Sequence, residues 1–106
     1  MKDDRLYRLH ILESIDKISA YVDGMSREDF LQSILVQDAV LRNLQVLSES
    51  TQRLSKEFKE RNPDIEWPSI NGLRNILVHD YLGIDLNTVW NVIHNNLPEL
   101  RKAIDQ

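Results

Sequence analysis

Apolar residues recur at steps of three or four along almost the whole chain, and this spacing limits its fold more than any other feature. Residues spaced in this way lie on one face of an α-helix. No stretch of any length alternates apolar and polar residues, which is the pattern of a half-buried strand. The sequence therefore predicts an all-α fold, an up-and-down bundle of four main helices plus one short helix.

Turn-forming residues place the boundaries of the first two helices. Residues 3 to 23 predict the first helix, and Gly24 follows as a C-terminal stop. Ser26 then precedes an arginine and two acids, which is typical of a capped helix start and predicts the short helix. The apolar stripe expected to face the core from the first helix consists of Leu6, Leu9, Leu12, Ile15, Ile18 and Val22.

The middle of the chain predicts one long helix and one shorter helix. Apolar residues keep helical spacing from residue 34 to about residue 60, and the pair Asn62-Pro63 then signals a turn. Trp67 is expected to anchor the loop that follows. The next helix is predicted over roughly residues 68 to 79.

The last predicted helix begins after Asp85, which is expected to serve as its N-cap. Pro98 lies inside the apolar pattern of this helix. Because proline has no backbone N–H and its ring clashes with the preceding turn, it should kink or split the helix. We expect that interruption near Asn95 and Asn96.

Composition limits the classes of site and the location that the chain can have. A chain of 106 residues fits a single domain, residues 1–106, and the absence of cysteine excludes disulfides and thiolate metal sites. Neither His10 nor His94 belongs to a carboxylate cluster with ligand spacing, so no metal site is expected. The start, MKDDRLYRLH, is charged and no apolar run could span a membrane, so a cytoplasmic location without a membrane partner is expected.

The net charge of −4 argues against one class of nucleic-acid-binding protein. It comes from 13 Lys and Arg against 17 Asp and Glu. A general nucleic-acid coat protein would carry a basic surface, which this composition does not provide. A local cleft that handles one phosphate remains compatible with an acidic chain.

The most reactive side chains are concentrated in the stretch RNILVHDY, residues 74–81. Arg74 offers a permanent charge and a planar fork that suits phosphate oxygens, and His79 can exchange a proton near neutral pH. Asn75 donates and accepts hydrogen bonds, and Tyr81 carries a phenolic hydroxyl. An arginine and a histidine together suffice for metal-independent phosphodiester cleavage, because one stabilises phosphate charge while the other moves a proton.

Helical geometry constrains how these side chains can work together. Asn75 and His79 share one face of a helix, whereas Arg74 and His79 lie about 140° apart around it. Either the helix unwinds around His79, or two copies of the chain face each other and combine their side chains in one cleft. A simpler alternative is a solvated helix end, because arginine and histidine there stabilise exposed carbonyls and the helix dipole.

The stretch RNILVHDY resembles the Arg-x4-His-x-Tyr motif of the HEPN superfamily, specifically the HepT-like ribonuclease toxins. The resemblance extends across nearly the whole chain through the blocks DDRLYRLHILESIDKI, GMSREDFLQS, LVQDAVLRNLQVLSES, IEWPSINGLRNILVHDYLGIDLNTVW and NNLPELRKAI. It implies an all-helical homodimer with a composite site at the dimer cleft. It also implies an RNase toxin restrained by a cognate minimal nucleotidyltransferase antitoxin, with no cofactor.

The resemblance assigns roles to individual residues of the motif. Arg74 and His79 match the catalytic pair, and Asn75 matches the polar residue that usually follows the arginine. Tyr81 matches the tyrosine that the antitoxin modifies with AMP. Asp80 departs from the glycine often found there, and an acid beside His79 could raise its pKa or repel RNA.

Three polar residues in the long helix also fall inside a block that resembles the family. Asp38 and Arg42 are four residues apart, and most such pairs are solvated or structural. Together with Asn43 they interrupt an otherwise apolar region. They are therefore candidates to line or orient the active cleft as well.

Three functions remain compatible with these residues. The leading hypothesis is a metal-independent endoribonuclease toxin that acts on an RNA substrate through Arg74, Asn75 and His79. The alternative is a catalytically silent subunit that binds a nucleotide or the nucleotidyltransferase, and the third is a plain dimerisation module. The presence of both Arg74 and His79 favours the first, because binding alone needs no histidine, while the acidic charge slightly favours the second.

Overall fold

The computed structural model describes residues 4–70, 72 and 85–105 of the chain. Every regular element in this part is helical, so the predicted all-α bundle is confirmed. The helices are α1 (Asp4–Val22), α2 (Arg27–Gln32), α3 (Ile34–Gln52), α4 (Lys56–Arg61), α5 (Leu86–Asn91) and α6 (Leu97–Ile104), with a π-helical turn at Val92–Asn96 between α5 and α6. Residues 67–70 and 72 are also helical. None of the described helices is long and apolar enough to cross a membrane.

The long helix predicted over residues 34 to 60 is instead two helices, and that prediction was wrong. α3 ends at Gln52, and α4 begins at Lys56. Ser55 causes the break, because its side chain accepts a hydrogen bond from the backbone N–H of Phe58 and caps a new helix. The N-caps predicted at Ser26 and Asp85 are confirmed, as is the stop at Gly24, which has a positive φ of 75°.

The inward face of α1 differs from the predicted apolar stripe. Leu6 and Leu9 are 50% and 51% exposed, whereas Ile11 is completely buried. The buried series Ile11, Ile15, Ile18 and Val22 runs back at helical spacing to Arg8 and Asp4. The inward stripe therefore has a polar N-terminal end. A prediction from apolar residues alone assigns the wrong face of the helix there.

A core shared by all the helices packs around α1 and α3. Phe30 of α2 is fully buried, and its ring lies 5.5 Å from that of Trp90 between centroids. The buried apolar side chains of the other helices are Val40, Leu41, Leu44, Leu47, Leu54, Phe58, Trp67, Ile70, Val89, Ile93, Leu97, Leu100, Ala103 and Ile104. Deleting side-chain atoms from such a core would cost about 2–5 kcal/mol for a single Leu or Ile to Ala change.

The interruption predicted near Asn95 and Asn96 is confirmed, and it takes the form of the π-helical turn. The backbone N–H of Leu97 bonds to the carbonyl of Val92, five residues earlier. Pro98, in the first turn of α6, has no N–H to give to the carbonyl four residues before it. A widened turn accommodates the proline ring while both helices continue.

Asp4 joins the start of α1 to the start of α4. Its carboxylate accepts hydrogen bonds from the backbone N–H of Ser55 at 2.8 Å and from the Ser55 hydroxyl at 2.6 Å. Burial raises the pKa of Asp4, but these hydrogen bonds and the positive charges of Arg61 and Arg8 outweigh burial. They hold the pKa of Asp4 below its ordinary value.

Arg8, one turn further along α1, holds the end of the last helix. Its guanidinium donates from Nε and Nη2 to the carbonyl oxygen of Ile104, at 3.0 and 2.6 Å. That carbonyl belongs to the final turn of α6, where no intrahelical N–H is available. The guanidinium carbon also lies 5.3 Å from the centroid of the Phe58 ring, a cation–π distance. Asp4 and Arg8 together connect α1 to α4 and α6.

We predict that Asp4→Asn lowers the free energy of unfolding by about 1–2 kcal/mol at pH 7, because a charged acceptor of two hydrogen bonds is lost. Asp4 has a lower pKa in the folded state than in the unfolded state. Its contribution is therefore complete above the unfolded pKa and disappears as the pH falls through the folded pKa. Urea unfolding at pH 7 and near pH 3 measures the difference.

Asp16→Asn is the matched control for this experiment. Asp16 pairs with Arg101 at 3.0 Å on the exposed surface, where solvent screens such pairs and they contribute little to stability. An equal loss of stability for Asp4→Asn at both pH values would contradict the assigned role of the Asp4 carboxylate.

Candidate functional site

The four residues predicted from the motif, Arg74, Asn75, His79 and Tyr81, lie outside the described residues, as does Asp80. The chain on both sides of that segment is described. The site can therefore be built from the two flanks that hold the segment and from the residues of α3 that were also predicted to take part.

The flank before the segment is anchored by Trp67, as predicted. Its indole Nε1 donates to the carbonyl oxygens of Lys59 and Asn62, at 3.2 and 3.1 Å. The indole meets the Phe58 ring edge-on, with 6.3 Å between centroids. Trp67 and Ile70 are both buried, so the helical residues 67–70 are fixed against α4.

The flank after the segment is fixed by a cap and by a clamp. Asp85 accepts hydrogen bonds from the backbone N–H of Asn87 at 2.9 Å and from the Thr88 hydroxyl at 3.1 Å. Arg27 of α2 donates to the side-chain oxygens of Asn87 and Asn91, at 3.0 and 2.9 Å. Two successive turns of α5 are thereby tied to α2, and this tie fixes the position of the second flank.

A cleft of about 460 Å³ lies between these flanks, and we call it the flank cleft. Among the described residues, its first wall consists of Glu66, Ser69, Ile70 and Gly72, and its second wall of Thr88, Asn91, Val92 and Asn96. The lining combines hydroxyls and amides with two aliphatic side chains. Glu66 is its one charged residue within the described part of the chain.

Sequence reasoning did not identify the residues of the flank cleft. In the sequence, the residues of the second wall belong to a series of polar residues along the last helix. That series has the pattern of an ordinary solvent-exposed face. Their convergence depends on the π-helical turn, because that turn changes which residues of the helix share a face. The sequence predicted an interruption there but not its type.

Of the three candidates in α3, two are exposed and one is tied to its own helix. Asp38 and Arg42 face solvent, and neither has an ion-pair partner among the residues that the structure describes. The amide nitrogen of Asn43 donates to the carbonyl oxygen of Ala39 at 2.9 Å. None of the three lines the described part of the flank cleft, so their role in an active cleft stays a prediction.

The exposed face of α3 combines these charges with apolar side chains. Ile34 and Leu35 are 71% and 82% exposed at the start of the helix. Leu35, Asp38 and Arg42 are spaced by three and four residues, so they form one strip along the solvent side. Large aliphatic side chains this exposed are typical of contact surfaces when they cluster.

Comparison with known proteins gives a family match over most of the chain. The profile of the family described as ribonuclease HepT-like matches residues 11–106. A protein of Methanocaldococcus jannaschii, named "Gamma-glutamylcyclotransferase and putative RNase", is 37% identical over 97% of this chain, which spans only 46% of that protein. No solved structure matches the chain significantly.

Two further relatives match over nearly their whole length. A "Putative RNase" of Caldanaerobacter subterraneus subsp. tengcongensis is 34% identical, with 100% of this chain and 95% of the relative covered. A "Probable ribonuclease HepT" of Thermococcus cleftensis is 30% identical, with 94% and 91% covered. The helical bundle, the match over residues 11–106 and these relatives agree with the resemblance seen in the sequence, and the chain belongs to the ribonuclease HepT-like family.

Proposed function

We propose that this chain is a metal-independent endoribonuclease in which Arg74 and His79 form the catalytic pair. One observation carries the proposal: the complete Arg-x4-His-x-Tyr pattern occurs within the 11–106 match to the ribonuclease HepT-like family. Relatives named as ribonucleases support the same activity.

The proposed reaction uses the 2′-hydroxyl of RNA as its nucleophile. His79 accepts the proton of that hydroxyl or donates a proton to the leaving 5′-oxygen. The 2′-oxygen forms a bond to phosphorus as the bond from phosphorus to the 5′-oxygen breaks. The products carry a 2′,3′-cyclic phosphate and a 5′-hydroxyl. Arg74 stabilises the charge on the phosphate oxygens, and Asn75 positions either catalytic group or the phosphate.

The fixed flanks support this proposal because catalytic side chains need a rigid attachment. Trp67 anchors the chain before the catalytic segment, and Asp85 with Arg27 anchors it afterwards. Asp38 and Arg42 lie on the exposed face of α3, so they are available to line a cleft if two copies of the chain meet along that helix. This arrangement also resolves the angular separation of Arg74 and His79, because each copy would supply part of the site.

We also propose that the activity is that of a toxin under control by a cognate nucleotidyltransferase antitoxin. The antitoxin would transfer AMP to the hydroxyl of Tyr81. The added phosphate charge and base lie close in sequence to Arg74 and His79, so they would repel and block RNA. The net charge of −4 adds to that repulsion.

The first prediction here concerns catalysis. His79→Ala should lower the rate of RNA cleavage by roughly 10²–10⁴-fold, the range of positioned acid–base groups. Arg74→Lys should also be impaired, because lysine keeps the charge but loses the planar fork. Cleavage should persist in EDTA and leave 2′,3′-cyclic phosphate ends. Gel assays on labelled RNA, with a 2′-deoxy substitution at the cut site as substrate control, measure these outcomes.

His94→Ala is the matched protein control for that experiment. His94 is an exposed histidine outside the motif, with its ring against Trp90 at 4.1 Å between centroids. The His94→Ala protein should cleave RNA at the same rate as the unchanged chain. Undiminished cleavage by a folded His79→Ala protein would exclude the ribonuclease proposal for this site and favour the silent-subunit alternative.

The second prediction concerns assembly. The chain should be a homodimer at micromolar concentration, and Leu35→Glu should convert it to a monomer because it places a charge on the exposed face of α3. Leu9→Glu changes a leucine on α1 that is 51% exposed and should leave the dimer intact. Light scattering gives both masses. A monomeric mass for the unchanged chain would contradict the composite site.

The third prediction concerns the proposed modification. Co-expression with a cognate nucleotidyltransferase should raise the intact mass by one or more AMP units, and Tyr81→Phe should abolish the increase. Tyr21→Phe serves as the control, because Tyr21 is an exposed tyrosine on α1 outside the motif. AMP that remains on a Tyr81→Phe protein would place the modification elsewhere and exclude this form of control.

A further inference from the structure

The flank cleft has the chemistry of a site for a neutral, hydrogen-bonding ligand. Its described lining carries hydroxyls, amides and one carboxylate but no cation. A phosphate group would find no positive partner on this lining and would be repelled by Glu66. On the charges of the described lining alone, an uncharged occupant is favoured.

Existing hydrogen bonds fix which groups of the second wall remain available. The side-chain oxygen of Asn91 accepts from Arg27, and an arginine can only donate, so the Asn91 amide nitrogen is left to donate to a ligand. The hydroxyl hydrogen of Thr88 goes to Asp85, which leaves the Thr88 oxygen as an acceptor. Asn96 has no side-chain hydrogen bond among the described residues, and it offers both a donor and an acceptor.

The π-helical turn brings these groups to one side of the helix. Four residues of an α-helix rotate through slightly more than one full turn, and four residues of the wider π-helical turn rotate through slightly less. The step from Thr88 to Val92 and the step from Val92 to Asn96 therefore deviate in opposite directions. As a result, all three residues lie on one side of the helix and line the flank cleft. From Thr88 to Asn96, this side of the helix presents a hydrogen-bond acceptor, then an aliphatic side chain, then an amide.

The apolar part of the lining fits a flat ring. Ile70 is buried in the first wall, and Val92 is half-buried in the second. A planar heterocycle can place its faces against aliphatic groups while its edge meets the amides and the carboxylate. This combination of an apolar face with donors and acceptors at the edge describes a nucleobase, and the volume of about 460 Å³ accommodates one.

We propose that the flank cleft binds one unpaired nucleobase of the RNA substrate, next to the phosphate that is cut. The location beside the cut rests on the proposed function of Arg74. Gly72 of the cleft precedes Arg74 by two residues in the sequence. The Glu66 carboxylate accepts hydrogen bonds only, so it suits a base edge that donates one, such as the amino group of adenine, cytosine or guanine.

Binding of uncleavable RNA tests the flank cleft separately from catalysis. Fluorescence anisotropy with labelled, fully 2′-O-methylated oligonucleotides reports affinity without any cut. Asn96→Ala should weaken binding about 10-fold, the effect of losing one good contact to a base edge. Asn95→Ala is the matched control, because Asn95 is an exposed neighbour in the same turn that does not line the cleft. The Asn95→Ala protein should bind the oligonucleotide with unchanged affinity.

Oligonucleotides with a single abasic position identify the contact. One abasic position should weaken binding to the unchanged chain about 10-fold, and it should add little to the effect of Asn96→Ala, since both changes remove the same contact. Affinity that is independent of the bases would overturn the proposal, even if the chain cuts RNA. Base-dependent binding by a chain that cuts no RNA would support the flank cleft and reject the proposed catalysis.

Gly72 provides a second test that removes no hydrogen bond. A Cβ built at Gly72 meets no atom within 4 Å, so a side chain there has room within the described structure. Gly72→Ala should leave the helix at least as stable, because alanine favours a helix more than glycine does. Gly72→Leu should fill part of the flank cleft and weaken binding about 10-fold or more, with an unchanged circular dichroism spectrum. Equal binding by a folded Gly72→Leu protein would overturn the proposal.

Discussion

The inward stripe of α1 is the constraint on which the rest of the bundle depends. Its C-terminal two thirds bury Ile11, Ile15 and Ile18 against the core. Its N-terminal end uses charge instead, with Asp4 bonded to Ser55 and Arg8 to the last turn of α6. One helix therefore sets the positions of α3, α4 and α6, and through α4 it also positions the Trp67 anchor that precedes the motif segment, residues 74–81.

Periodicity and local capping predicted most of the fold because both act over a few residues. The helix starts at Ser26 and Asp85, the Trp67 anchor and the interruption before Pro98 all follow from local chemistry. Features that depend on distant contacts were missed. Leu6 and Leu9 match the apolar pattern, but the polar partners of α1 determine which face points inward. The cap at Ser55 also gains its partner 51 residues away.

The candidate site was predictable to a different extent for its catalytic and its binding parts. Arg74 and His79 were predicted from the chemistry of their side chains together with the resemblance to the family, and they lie outside the described residues, so their catalytic role stays a prediction. The flank cleft is lined by common polar residues, and only folding brings Glu66 near Asn96. No pattern in the sequence marks such a pair, since their meeting depends on the positions of two helical flanks and on the π-helical turn between α5 and α6.

The acidic charge of the chain changes which interactions can supply affinity for RNA. A protein that binds through many phosphate contacts releases counterions, and its affinity falls steeply with salt. A chain with a net charge of −4 can make few such contacts, so Arg74 would bind a single phosphate while much of the affinity comes from the base. Contacts to a base edge and to its faces are short-ranged and weakly screened by salt. A base-binding cleft that accompanies one proposed catalytic arginine would thus reconcile RNA cleavage with an acidic net charge. On the same proposal, an AMP group on Tyr81 brings both a phosphate and a base, the two groups through which RNA would bind.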